Sequence, residues 1–397
     1  MQRPPISDRA LLLLLAAITA LGPIATNLYL PALPAVREYF DASVAAVQVT
    51  FSVSLIMFAI GILVWGPIAD RYGRRTAVLC GLSIMIAGAL VCLTAQSLHW
   101  LVVGRAIQAF GTATGIVVAR AIVSDRYPIE RMTRVLAQLT MVAVLGNSLA
   151  PVLGGFLAAG FGWRAVFAVL VVTAAVIGFA AWRRLPETRR PTAHPPRARE
   201  MGAAAWSLAR MPMFAGCVLQ SAVVYATFLV FISLAPYVMV TAFGRAPTEF
   251  GMYYLFIAVG YFLGNWSVGK FMSHRGQHWM VVTGVLLSAA GAAAALGFVA
   301  LGLTHPLWIF VPIGVLSYGQ GLSLPNVTAT AVSLAPQHAG VGSSLIGFLQ
   351  QLVGAACVQW MGRFPTDTAL PMLVFCAACC ALGVAMLYVF PRLQAGK

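Results

Sequence analysis

Gly66-Pro67-Ile68-Ala69-Asp70-Arg71-Tyr72-Gly73-Arg74-Arg75 joins two apolar stretches, one near residues 45–65 and the other near 76–96. Each stretch is about the 20 residues that a helix needs to cross hydrocarbon. A join this short between antiparallel helices calls for glycine and its backbone freedom. One acid among three arginines then admits two readings. It could be a turn whose arginines serve as topology signals. It could equally be a charge cluster that holds helix ends together in one state of a transporter and releases them in another.

Working outward, apolar stretches of spanning length recur near 10–30, 100–121, 135–158 and 164–182, and again near 212–236, 249–269, 278–301, 306–330, 339–361 and 369–390. The composition agrees: 60% of the 397 residues are hydrophobic, only 9% are charged, and mean hydropathy is +0.89. A soluble chain of this length would need far more charge to cover its surface, so lipid is the expected solvent. Arg3 and Arg9 before the first run resemble the start of a signal peptide, but the run continues through Leu30 and many follow, so it reads as an uncleaved first span. The longest polar stretch, Arg183–Arg210, carries seven arginines and prolines at 186, 191, 195 and 196. It reads as a linker. The expected division is residues 1–183, a linker over 184–210, and residues 211–397, with six spans in each half.

With the N-terminus placed in the cytoplasm, 20 of the 25 Lys and Arg fall in cytoplasmic segments. Only Arg37, Arg164, Arg245 and Arg363 fall opposite, and Arg105 lies inside the fourth span. Such asymmetry sets orientation with both termini inside. It also removes nucleic acid as the partner that a net charge of +15 would otherwise suggest. The seven cysteines form no framework: Cys376 and Cys379 have C-x-x-C spacing but sit in an apolar run, as packing residues do.

Three further strings carry chemistry. In the fourth span Arg105, Gln108, Thr112 and Gly115 recur at helical spacing and make one face polar. An arginine there faces water or a partner, or it snorkels to the outer end about one turn away. In the fifth span Gly146, Ala150, Pro151, Gly154 and Gly155 allow close helix approach and add a kink that could serve as a hinge. The first span ends Thr26-Asn27-Leu28-Tyr29-Leu30-Pro31-Ala32-Leu33-Pro34.

Together these strings resemble the major facilitator superfamily, over essentially the whole chain. The 66–75 turn is similar to its G-x-x-x-D-R-x-G-R-R loop, the Arg105/Gln108 pattern to its span-four motif, and 146–155 to its antiporter motif with Ala150 for one glycine. The end of span one looks like the D-x-Y-L-P-A-x-P signature of the bicyclomycin/chloramphenicol-resistance (Bcr/CflA) branch, with Asn27 in place of its Asp. The resemblance implies an all-α membrane protein, twelve transmembrane helices forming two six-helix bundles around a central cavity. It implies a cytoplasmic gate of Gly66, Asp70, Arg71, Gly73, Arg74, Arg75 and Asp125, and a hinge at Gly146, Pro151, Gly154 and Gly155. The corresponding loop of the second half, Gly264 to Arg275, lacks the Asp.

Candidate substrate and coupling residues are Asn27, Tyr29, Arg105, Gln108, Thr112, Asn147, Tyr225, Gln320, Asn326 and Gln351. Gln320, Asn326 and Gln351 would line a cavity or hydrogen-bond between helices. Tyr225, with Phe228 and Phe231, would form an aromatic wall or pack toward lipid. All ten acids fall in loops or at helix ends. Proton-coupled exporters usually hold an embedded acid whose pKa is raised by burial, and Asn27 cannot titrate. His274 and His278 share i, i+4 spacing without a third ligand, so no metal is expected.

No G-x-x-x-x-G-K-[ST], H-E-x-x-H or G-x-S-x-G string is present, so neither ATP nor enzyme chemistry is indicated, and no cofactor is called for. The expectation is a monomeric secondary transporter in a bacterial inner membrane. It exports small amphipathic molecules, with protons as coupling ion. A permease for a polar metabolite, such as a nucleoside or amino acid derivative, is the alternative. A non-transporting membrane enzyme or sensor is the rival from another class.

Overall fold

The computed structural model describes residues 7–188, 198–334 and 339–389. Arg189, Arg190 and Arg197 of the expected linker, and Arg3, Arg392 and Lys397, lie outside the described residues. Every regular element among the described residues is helical. This is the expected outcome in hydrocarbon, where each backbone N–H and C=O must find its partner within the segment.

The chain divides into two compact units, Met1–Pro195 and Pro196–Lys397. The first contains α1 (Asp8–Asn27), α2 (Leu33–Tyr39), α3 (Val44–Tyr72), α4 (Arg74–Leu93), α5 (Leu98–Arg126), α6 (Ile129–Phe161) and α7 (Arg164–Arg184). The second contains α8 (Ala198–Ala209), α9 (Pro212–Thr241), α10 (Pro247–Ala300), α11 (Leu307–Ser333), α12 (Ala339–Met361) and α13 (Leu370–Val389). Serine hydroxyls set several starts: Ser7, Ser43 and Ser97 accept from the amides of Ala10, Ala46 and Trp100.

Eleven segments among the described residues are long and apolar enough to cross a membrane. The first arm of α10, where sequence places the eighth span, is not among them. Its two arms are read as one helix, but Gly276 breaks it with φ +75°, a left-handed conformation that glycine adopts without strain. A second difference lies in the polar stretch between the halves. It carries α8, whose Ala204 and Leu208 are buried while Trp206 is exposed. Leu208 joins Phe214, Cys217, Val281 and Ile346 in the core of the second unit.

Apolar side chains point outward as well as inward. On α7, Val172, Val176 and Phe179 form an exposed stripe at i, i+4 and i+7. Where helices meet, glycines set the spacing. A Cβ built on Gly111 of α5 would lie 2.5 Å from the Gly81 carbonyl and 2.5 Å from the Met85 amide of α4. On Gly104 it would lie 2.6 Å from Cys92 Sγ. In the second unit, Gly284 of α10 and Gly319 of α11 oppose each other with the same backbone-to-backbone closeness. Without a hydrophobic drive between helices in lipid, such close contact supplies much of the association energy. All seven cysteines are free thiols.

The seam gives a test. Gly111→Leu should lower thermal stability in detergent by about 1–3 kcal/mol or more, because backbone cannot yield to the new side chain. Gly160→Ala, with nothing within 4 Å of the added methyl, should leave the melting temperature nearly unchanged.

Candidate functional site

Three polar clusters stand out, two in the first unit and one in the second. At the α3–α4 turn a single residue, Gly73, separates the helices, with φ +99°. Arg74 then sits between two acids. Its Nη1 donates to Asp70 Oδ1 at 2.5 Å, one turn back on α3, and its Nε donates to Asp125 Oδ2 at 2.9 Å, on the last turn of α5. Arg74 and Asp125 are the more enclosed members, at 13% and 14% side-chain exposure against 36% for Asp70. Partial burial makes these charge-assisted bonds stronger than an exposed pair.

The other expected members of this cluster do different things. Arg71 is exposed and lies over the Tyr72 ring at 5.3 Å, outside the cluster. Arg75 donates to the Trp182 carbonyl at 2.8 Å. A Cβ built on Gly66 would lie 3.9 Å from Val117 Cγ1, so the position would admit a methyl group.

Glu187, which sequence reasoning did not single out, completes the site. Its carboxylate accepts from the backbone amides of Arg74 at 2.8 Å and Arg75 at 3.2 Å. Gly73 offers no side chain to cap α4, so an acid from beyond α7 performs that task at the positive end of the helix. A Cβ at Gly73 would come 2.9 Å from the Glu187 carboxyl carbon. Thr188 adds a hydrogen bond to Asp125 Oδ2 at 3.4 Å. One of the two acids among seven arginines, placed directly after a helix, was the available signal. On the same end of the unit Asp8 of α1 pairs with Arg126 and Arg131 at 3.5 and 3.0 Å.

The second cluster surrounds Arg105, which lies seven residues beyond the start of α5 at Leu98. At 1.5 Å per residue that is about 10 Å inside the helix. Only 2% of the residue is exposed. Snorkelling is therefore not what the structure shows: the guanidinium turns inward, to Gln108 of its own helix and to the end of α1. Its Nη1 donates to Gln108 Oε1 at 2.7 Å and lies 3.5 Å from the Ala25 carbonyl. Its Cζ sits 4.7 Å from the centre of the Tyr29 ring. The Tyr29 hydroxyl is held by Thr50 at 2.9 Å. Thr112 turns its hydroxyl back to the Gln108 carbonyl at 2.6 Å.

Asn27 is the last residue of α1, two residues before Tyr29. Its Nδ2 donates to the Pro23 carbonyl at 3.0 Å and, in a short contact, to Asn147 Oδ1 of α6. The small residues of the fifth span explain how α6 comes so near. A side chain on Gly154 would collide with the Leu28 carbonyl, and one on Gly146 would lie 2.9 Å from Ile24 Cδ1. Pro151, inside α6, has no N–H for the Asn147 carbonyl, and Gly155 is buried beside it.

The third cluster is spread through the second unit. Gln320 donates to the Val224 carbonyl at 3.1 Å. Asn326 donates to the Leu322 carbonyl at 2.7 Å, and Gln277 reaches its carbonyl at 2.7 Å. Gln220 of α9, also missed from sequence, is buried with neither amide atom hydrogen-bonded. It borders a gap beside Ser288 and Gln320 with room for about one water. Gln351 is buried on α12 with its Oε1 unpartnered. Tyr225 stacks near Phe228, whereas Phe231 is buried against Phe310 inside the unit.

A sequence profile described as the Major Facilitator Superfamily matches residues 15–358. The chain belongs to this family. Among its relatives are "Multidrug resistance protein D" of Escherichia coli, 29% identical with 89% of each chain covered, and a "Bicyclomycin resistance protein homolog" of Haemophilus influenzae, 26% identical with 95% of each covered. A "Chloramphenicol resistance protein" of Pseudomonas aeruginosa is 28% identical, over 92% of this chain and 87% of that one. These are the branch that the end of span one resembles. The fold is that of solved transporters. The E. coli xylose transporter, in a partially occluded inward-open conformation, superimposes with TM-score 0.78 at 13% identity over 98% of this chain and 99% of that one. A peptide transporter gives 0.79 at 18% identity over 99% and 97%. Members of this superfamily carry small molecules across membranes.

The loop cluster yields a ranked prediction. Asp125→Ala should lower stability by about 1–3 kcal/mol, because it strands a half-buried Arg74, whereas Asp70→Ala should cost about 1 kcal/mol or less. Glu187→Ala should cost about 1 kcal/mol through loss of the α4 cap. Thermal unfolding of the three variants side by side would check the order.

Proposed function

We propose that this protein is a secondary exporter of small amphipathic, drug-type molecules, working by alternating access in a bacterial inner membrane with both termini cytoplasmic. The observation that carries the reading is Arg74 held between Asp70 and Asp125, with Glu187 on the helix it starts. A three-helix charge cluster that solvent can reach is a contact that forms in one state and parts in another. The names of the drug-resistance relatives and the closely packed small-residue face of α6 support outward transport. The arginine asymmetry of the loops supports the orientation, and the monomer is part of the same reading.

Protons are the coupling ion in this reading. Asn27 cannot carry one, so the acids that could take part are those at the helix ends, Asp70 and Asp125 foremost. Two experiments test the proposal. Overexpression should lower accumulation of some compound in a broad drug panel, and flux in proteoliposomes should rise when a pH gradient is imposed. No altered flux for any compound, in vesicles of either orientation, would remove the exporter reading. Flux without any response to the gradient would remove proton coupling alone. Asp70→Asn should reduce transport at least about tenfold while the protein still inserts, since a gate lost from the cycle affects rate more than folding.

A further inference from the structure

Arg105 has no internal counter-ion among the described residues. Among the described residues no carboxylate lies within ion-pair distance of it, and the acids whose side chains are described are engaged or placed elsewhere. Asp8 serves Arg126 and Arg131, Asp70 and Asp125 serve Arg74, and Glu249 lies 3.7 Å from Arg245. Glu187 caps α4. Glu38, Asp41 and Asp367 stand near helix ends. A guanidinium that is 98% enclosed without an acid is costly in a membrane unless something else brings negative charge to it.

The neighbouring polar atoms indicate what that something is. Arg105 Nε and Gln108 Nε2 are both buried N–H donors with no acceptor, and the two side chains are tied together through Nη1 and Oε1 at 2.7 Å. Two unfilled donors beside an uncompensated cation fit a ligand bearing paired acceptor oxygens and a negative charge. A cation would meet repulsion from Arg105. Tyr29 cannot answer the charge, because its hydroxyl is bound to Thr50 and its ring face already lies under the guanidinium. Its ring instead fixes the plane of Arg105 and packs on into a buried aromatic cluster, with Phe167 at 5.5 Å and Trp163 a further 6.1 Å on.

We infer that the Arg105–Gln108 pair binds the acidic oxygens of an amphipathic, carboxylate-type cargo, whose charge replaces the acid that Asn27 does not provide. The inference rests on the export reading and narrows it to a class of substrate. A neutral amphiphile would leave Arg105 uncompensated.

The test uses the full-length protein with matched sets of 1-naphthylacetic acid, its methyl ester and 1-naphthylmethylamine, extended to a dozen aromatic acids with their esters and amines. Binding is read by quenching of tryptophan fluorescence, and flux in phosphatidylcholine vesicles that contain no anionic lipid to fill the site. At least one acid should bind about tenfold or more tightly than its ester. Arg105→Gln should lose that preference while ester binding changes less than about threefold, and Arg105→Lys should keep part of it. Asn27→Asp, which adds a carboxylate to the neighbouring stretch of α1, should also weaken acid binding, and it carries the test if Arg105→Gln does not fold.

Several results would overturn the inference: equal or better binding of esters or amines, an acid preference that survives Arg105→Gln, or no binding by any acid. Failure of the export reading looks different, with acids bound as expected but no compound moved. Flux of neutral compounds without charge preference would instead leave export standing and remove the carboxylate assignment.

Discussion

Helices in this protein approach until backbone meets backbone, and most of what the two units do depends on that closeness. In lipid the outward face of a helix is as content as the inward one, so apolar patterning cannot decide which helices pair. The exposed stripe of α7 shows this directly, since it is as apolar as any buried face. What distinguishes partners is the absence of side chains. Gly81, Gly104 and Gly111 draw α4 against α5, and Gly154 draws α6 against the end of α1. The second of these contacts places Asn147 against Asn27, so a purely steric feature of one helix determines the polar chemistry of another.

Charge is handled differently in the two polar clusters of the first unit. At the α3–α4 turn every charge near the centre has an answer: Arg74 has two acids, and the start of α4 has Glu187. Within the bundle Arg105 has only dipoles, an amide, a carbonyl and an aromatic face. Such partners orient a guanidinium without neutralising it. The first arrangement stabilises a contact between helix ends, and the second leaves an attraction unspent in the interior.

The fold was legible because hydropathy, arginine asymmetry and glycine-rich strings report on local requirements that the sequence states directly. The break in α10 was legible too, as polar residues around Gly276. The helix α8 was not: its alternation of alanines with Trp206 and Leu208 is masked by the prolines and arginines before it, and only the core of the second unit reveals why Leu208 is buried. Glu187 was hidden for a related reason. Its importance comes from the amides of Arg74 and Arg75, more than 100 positions away, and no spacing rule links them. Arg105 was visible as an anomaly in composition, but its depth was misjudged because the start of α5 at Leu98 and the turn of the side chain toward α1 are matters of packing.

The cap that Glu187 places on α4 changes where the first unit ends. Counted by membrane crossings, that unit is finished at Arg184. Counted by chemistry it extends through Thr188, because the start of α4 and the pair at Asp125 remain incomplete until those residues have been made. A ribosome that has just released α7 has therefore not yet delivered a self-sufficient half. Any attempt to express the halves as separate chains must leave the four residues after Arg184 with the first.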